Sequence, residues 1–185
     1  MSGSITVGQK TLASHDNSTD KLSLHNNVAF PAGHIVQVAH NSKGDENSDT
    51  TSSTSLEIVH DASNNNEWFV NISNITTGNK ILLMFTFCTM EYGPGVDAAF
   101  GGYGICRDSL SNIVVVSSGA NAAGVNTQAG AAGVITHNVI TLSALDTPTS
   151  SSHSYYLIYR VNHSQYSIKI RPDTPAQFFA MEVQQ

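Results

Sequence analysis

The chain has 185 residues, with eight Lys plus Arg against fourteen Asp plus Glu and only 12% charged residues, about half the usual share. A net charge of −6 without a basic run argues against nucleic-acid binding, because nothing would neutralise a row of phosphates. No stretch reaches the roughly 18 apolar residues of a membrane helix, residues 1–12 lack a secretory signal, and two cysteines are too few for a disulfide framework.

Polarity is carried by Ser, Thr and Asn. The four Asn-x-Ser/Thr sequons, at Asn17, Asn71, Asn74 and Asn162, are read as a by-product of that composition. The length suits one domain able to bury roughly 70% of its unfolded surface.

Residues 1–30 are polar, with short weak strands at 5–7 and 21–25 and a turn-like run at 15–20. Such a segment supplies little core. It is read as an extended N-terminal arm that attaches the protein to something else, with the folded domain spanning 31–185 behind the punctuation of Pro31 and Gly33. Alternating or β-branched runs then predict strands at 34–41, 53–60, 67–72, 80–90, 98–107, 112–117, 134–143, 154–162, 166–171 and 178–184. Residues 41–55 read as a polar loop. Residues 119–133, rich in Ala but interrupted by four glycines, read as a long loop rather than a helix. So many short strands at this spacing predict an all-β sandwich or barrel.

Two strands are apolar on both faces. In 80–90, Ile81, Leu83, Phe85 and Phe87 alternate with Leu82, Met84 and Cys88; in 154–162, Tyr155, Leu157, Tyr159 and Val161 alternate with Tyr156 and Ile158. Such a strand needs a central position between two sheets or a partner chain over its outer face. Tyr155, Leu157, Tyr159 and Val161 are therefore candidate oligomer-interface residues.

The eight histidines show neither His-x-His spacing nor a helical i, i+4 pair, so no metal or cofactor site is nominated. Cys88 and Cys106 fall on consecutive candidate strands and would face each other if those strands formed a hairpin; they are read as two buried thiols without a local base to activate them. The glycines of FGGYG, residues 100–104, lack the Lys-Ser/Thr of a phosphate loop and suit a bulge or a close backbone approach. Tyr92, Asp97, Phe100 and Tyr103 cluster about the same turn and are candidate ligand-binding residues of the carbohydrate-stacking type, with hairpin packing as the plainer alternative. No pair of carboxylates is spaced for catalysis, and no enzymatic activity is expected.

Several segments in order, PAGHIVQV at 31–38, a Ser/Thr stretch ending at Thr54 and Ser55, NKILLMFTF at 79–87, YGICRDS at 103–109, LDTPTSSSHSYYLIYRV at 145–161 and FFAMEV at 178–183, resemble the small virion and fibre-tip proteins of tailed bacteriophages. The resemblance covers 31–185 and lies in the order of the segments. It implies a jelly-roll β-sandwich akin to the tumour-necrosis-factor and complement-C1q group, assembled as a homotrimer, held to other virion proteins by residues 1–30 and displaying loops toward a host-surface glycan. It implies no catalytic or metal residues. With no coiled-coil or β-helix stalk in the sequence, a short appendage or a capsid-decorating protein is expected rather than a long fibre, made in the host cytoplasm and located in the virion; a free carbohydrate-binding module is the other reading.

Overall fold

The computed structural model describes residues 3–7, 10–16, 21–24, 32–44, 48–61, 65–92, 99–116, 126–127, 136–162, 164–165, 167–171 and 175–185. Their regular structure is all β. The strands are β1 (Gly3–Val7), β2 (Lys10–Asp16), β3 (Lys21–Leu24), β4 (Ile35–Lys43), β5 (Asp49–Thr51), β6 (Glu57–Ile58), β7 (Phe69–Ser73), β8 (Lys80–Tyr92), β9 (Ala99–Arg107), β10 (Ile113–Val116), β11 (Asn126–Thr127), β12 (Thr136–Asp146), β13 (Ser152–Val161), β14 (Ser167–Arg171) and β15 (Ala176–Val183). Among the described residues no helix is long and apolar enough to cross a membrane.

Two antiparallel sheets form the sandwich. One runs β4-β15-β8-β12 and the other β7-β13-β9-β10. Numbered along the chain, these eight principal strands lie in the orders 1-8-3-6 and 2-7-4-5, the double Greek key of a jelly roll. Consecutive strands therefore tend to cross between sheets. β8 and β9 do so, so the hairpin that would set Cys88 opposite Cys106 does not form; the two lie in different sheets, each buried and outside any disulfide.

Alternation fixes which face of each strand is buried. Ile81, Leu83, Phe85 and Phe87 of β8 point inward, as do Phe178 and Ala180 of β15, Tyr103 and Ile105 of β9, and Val70 and Ile72 of β7. The sheets are joined by rings: Phe87 meets Tyr103 at 5.5 Å between centroids, and Trp68 meets Phe178 edge-on at 6.1 Å. Tyr155, Leu157, Tyr159 and Val161 complete this core at 0–2% exposure. They are not available to a second chain, so the interface reading of these four residues is corrected: the facing sheet covers them, as the internal-strand alternative requires.

Three strands are broken at the same flank of the sandwich. β14 ends with Arg171 opposite Cys88, and pairing with β8 resumes at Gln177 opposite Thr86; Pro175 before β15 has no N–H to donate. β4 and β5 make the matching break in the neighbouring strand. In the second sheet β6 and β7 both pair with β13, separated by an excursion in which His60 bridges Glu67. The Val59 N–H donates to Leu157 O, the Trp68 N–H to Val59 O and the Leu157 N–H to Trp68 O, all at 2.9 Å, so the excursion leaves and rejoins the sheet at one point.

The N-terminal segment is more ordered in its pairing than an extended arm. β1, β2 and β3 make a separate antiparallel meander, and β2 takes in residues 10–14, which carry no predicted element, and 15–16, which read as the start of a turn. At the far end of the chain, Glu182, 2% exposed, holds the turn after β7: its Oε1 accepts from the Thr76 N–H at 2.8 Å and from Asn79 Nδ2 at 2.7 Å.

The FGGYG glycines have packing roles. A Cβ on Gly104 would press on the Val115 carbonyl oxygen and sit 3.0 Å from Val116 Cα, and one on Gly101 would fall 2.6 Å from Cζ of Tyr103. Close approach by β10 explains Gly104, and the Tyr103 ring folding back explains Gly101. Gly104→Ala should lower unfolding free energy by about 1–3 kcal/mol, read by urea denaturation; an unchanged midpoint would refute this packing.

Candidate functional site

The broken flank opens a cleft of roughly 510 Å³, lined by Asp49, Thr50, Glu57, Ile58, His60, Asp61, Asn65, Leu110 and Tyr159. That size lies within the ordinary range for small-molecule sites. β5 and β6 supply one wall, His60, Asp61 and Asn65 a second, and the turn after β9 contributes Leu110. This turn is closed by the Arg107 N–H donating to Asn112 O at 2.8 Å and the Asn112 N–H to Ser109 O at 3.0 Å. Asn65, at a φ of 58°, occupies the left-handed region that Asn tolerates better than most residues.

Asp49 organises the floor. Its Oδ1 accepts from the Thr50 N–H at 2.8 Å, its Oδ2 from the His60 N–H at 2.6 Å, and the Tyr159 side chain hydrogen-bonds to the same carboxylate. Glu57 Oε2 accepts from Thr51 Oγ1 at 2.6 Å. Burial first, then the bond to Asp49 and the charges of Asp49 and Glu57, push the Tyr159 hydroxyl above its ordinary range, so it remains a hydrogen-bond donor.

A second polar group lies at the ends of β9, β12 and β13. Arg107 Nη1 reaches Asp146 Oδ1 at 3.1 Å and Oδ2 at 2.8 Å and donates to Thr147 O at 2.8 Å, while Tyr155 OH donates to Asp146 Oδ2 at 2.8 Å. Beside it, His153, 4% exposed, contacts Asp108 Oδ2 through Nδ1 at 2.7 Å and Ser150 Oγ through Nε2 at 3.2 Å. The order Ser, His, Asp invites comparison with a nucleophilic triad. The hydrogen bonds oppose it. Nε2 already accepts the backbone N–H groups of Thr149 and Ser150 at 3.1 and 3.0 Å, and Ser150 Oγ donates to Ser152 O at 2.8 Å. A ring nitrogen with one lone pair so engaged is no general base; His153 caps a turn. Among the described residues no three His, Cys, Asp or Glu side chains are grouped to hold a metal ion.

Of the ligand-binding residues expected from the sequence, Asp97 and the side chains of Tyr92 and Phe100 lie outside the described residues, and Tyr103 is a core residue, 1% exposed. Its part in a surface stacking platform is thereby corrected, since its ring is spent against Phe87 and Gly101. The cleft was not found from the sequence because its walls come from residues 49–50, 57–58, 60–61, 65, 110 and 159. Asp49 and Thr50 sit in what reads as a polar loop.

No protein-family model matches the chain, and no curated protein matches it in sequence. Among solved structures, it is similar to that of infectious bursal disease virus Gx strain (11% identity, TM-score 0.37), covering 87% of this chain and 43% of that one. It is also similar to the infectious bursal disease virus VP2 subviral particle (10%, 0.37), covering 88% and 41%. A third is the CBM22-1 xylan-binding domain of Paenibacillus barcinonensis Xyn10C (8%, 0.29), covering 85% and 99%. The chain thus spans less than half of the two viral chains.

The buried acids of the second sheet give the protein an alkaline limit. Cys106, 0% exposed, is pushed from 9.0 to about 11, by burial first and then by the Glu67 charge. Burial, followed by the bond to Asp146, raises Tyr155 in the same direction. Below pH 9.0 the thiol is protonated whether the chain is folded or not. Between 9.0 and about 11 the unfolded thiol ionises while the folded one keeps its proton, so stability falls as pH rises, by about 3 kcal/mol from this group. Urea midpoints at pH 8 and pH 11 should fall further for the parent protein than for Cys106→Ala; equal losses would show that Cys106 is not the source.

Proposed function

We propose that the chain is a self-associating structural protein of a virus particle, a homotrimeric jelly-roll appendage of a tailed phage held to its particle through residues 1–30. It acts by assembly and display rather than by catalysis. The observation that supports this reading is the outer face of the β4-β15-β8-β12 sheet. Register places Val38, Met181, Leu82 and Leu145 side by side across all four strands, with His40, Phe179, Met84 and Ser143 in the next row. No Asp, Glu, Lys or Arg stands in either row. Val38 is 55% exposed, Leu145 56% and Met84 40%.

Four strands about 4.8 Å apart and two same-face rows about 6.8 Å apart make a surface of about 260 Å². That approaches the largest apolar patch of a typical monomer and is about a third of what each partner buries in a standard interface. A second copy supplies matching apolar surface, and a polar rim completes the contact. Of the two doubly apolar strands, β13 is covered within the chain, whereas the outward residues of β8, with those of β4 and β12, are not. The capped His153 supports the non-catalytic part of the reading.

Native mass spectrometry should find three chains of 19.7 kDa together, and Val38→Lys with Leu145→Lys should release monomers that keep the parent circular dichroism. A parent monomer would overturn the reading. Deleting residues 1–30 should leave the trimer intact and abolish incorporation into particles; loss of trimerisation on that deletion would show that the arm, not the sheet, carries assembly.

A further inference from the structure

We propose that the cleft between β5, β6 and the 59–68 excursion binds a neutral oligosaccharide, through Glu57, His60 and Asn65 as polar partners and Ile58 and Leu110 as apolar contacts. This goes beyond the structural reading and does not require self-association, because all the lining residues belong to one chain.

The chemistry of the lining selects the ligand class. An anion is disfavoured, since Asp49, Glu57 and Asp61 line the cleft and no Lys or Arg does. A free cation is not specifically called for either. Asp49 already accepts from two backbone N–H groups and engages Tyr159, Glu57 accepts from Thr51, and among the described residues no three ligating side chains converge on one point. What remains open is acceptor capacity. A carboxylate offers about four lone-pair positions, so Glu57, with one of them used by Thr51, has several left for hydroxyl donors. Asn65 adds an amide that both donates and accepts, and His60 a ring edge.

Between these polar groups stand Ile58, half-buried, and Leu110, 39% exposed. Hydroxyls at the edge and C–H groups on the faces are the alternation a pyranose ring presents. An entirely apolar ligand would strand the carboxylates, and an anionic one would meet no counter-charge. The floor is preorganised, because Asp49 ties β5 to the excursion through the His60 N–H and to β13 through Tyr159, which lowers the ordering cost on binding.

The test uses the full chain with neutral gluco-, manno-, galacto- and xylo-oligosaccharides of three to six units, by saturation-transfer NMR and isothermal titration. At least one series should bind. Glu57→Gln and Leu110→Ala, both at exposed side chains and each checked for a parent-like melting temperature, should each weaken it about tenfold, as loss of one charge-assisted bond or one apolar contact implies. Leu145→Ala on the opposite sheet should bind like the parent, and so should the monomeric Val38→Lys, Leu145→Lys protein, which separates failure of this inference from failure of the trimer reading. Absence of binding across all four series, or binding that both cleft variants retain, overturns the proposal. Preferential binding of oligolysine over every neutral series would also overturn it.

Discussion

The arrangement depends on the rings that join the two sheets. Trp68 against Phe178 and Phe87 against Tyr103 connect strands that share no hydrogen bonds, and burial at these contacts, with Phe85 tilted on Phe178 at 4.7 Å, fixes how one sheet sits over the other. Aromatic rings remove large apolar areas from water and favour such tilted and edge-on geometries. Gly101 and Gly104 make room for this packing, one beneath the Tyr103 ring and the other beneath β10. Everything polar of interest is displaced to the rims: the Asp49 floor at the broken flank, and the Arg107, Asp146 and Asp108, His153 groups at the strand ends.

The long strands were legible because they satisfy a simple rule. In 80–90 and 154–162 the apolar residues are too many for a surface strand, and both segments became central strands. What the pattern could not say was which apolar face would be covered by the chain's own second sheet. Tyr155 to Val161 were covered and Val38, Met84 and Leu145 were not, a difference set by topology rather than by local composition. The expected β8–β9 hairpin failed for the same reason: a jelly roll sends consecutive strands to opposite sheets, and an apolar run carries no mark of its partner.

The short elements were lost for a different cause. β5 is three residues in a Ser/Thr-rich run, held by pairing with β14 and by the bonds of Asp49 and Thr51, and β2 is mostly polar. Strand periodicity registers residues that face a core, and these have few. The segments 53–60 and 67–72 were both readable as strands, yet the structure makes them parts of one interrupted strand beside β13, and the interruption is what creates the cleft. His153 and Asp108 lie 45 residues apart, beyond the reach of any local motif.

The position of β15 has a consequence for biosynthesis. It is the last strand of the domain, yet it lies between β4 and β8, the first and third of the principal strands, and its Glu182 secures the turn after β7. Until residue 183 has been made, the β4-side sheet has a gap at its centre and both flanking edges are unpaired. The domain therefore closes only after residue 183 has been made, by pairing distant parts of the chain, which is the slow regime of folding. Until then the nascent chain carries open strand edges that any neighbouring copy can reach, so correct assembly depends on each copy closing on itself before it meets another.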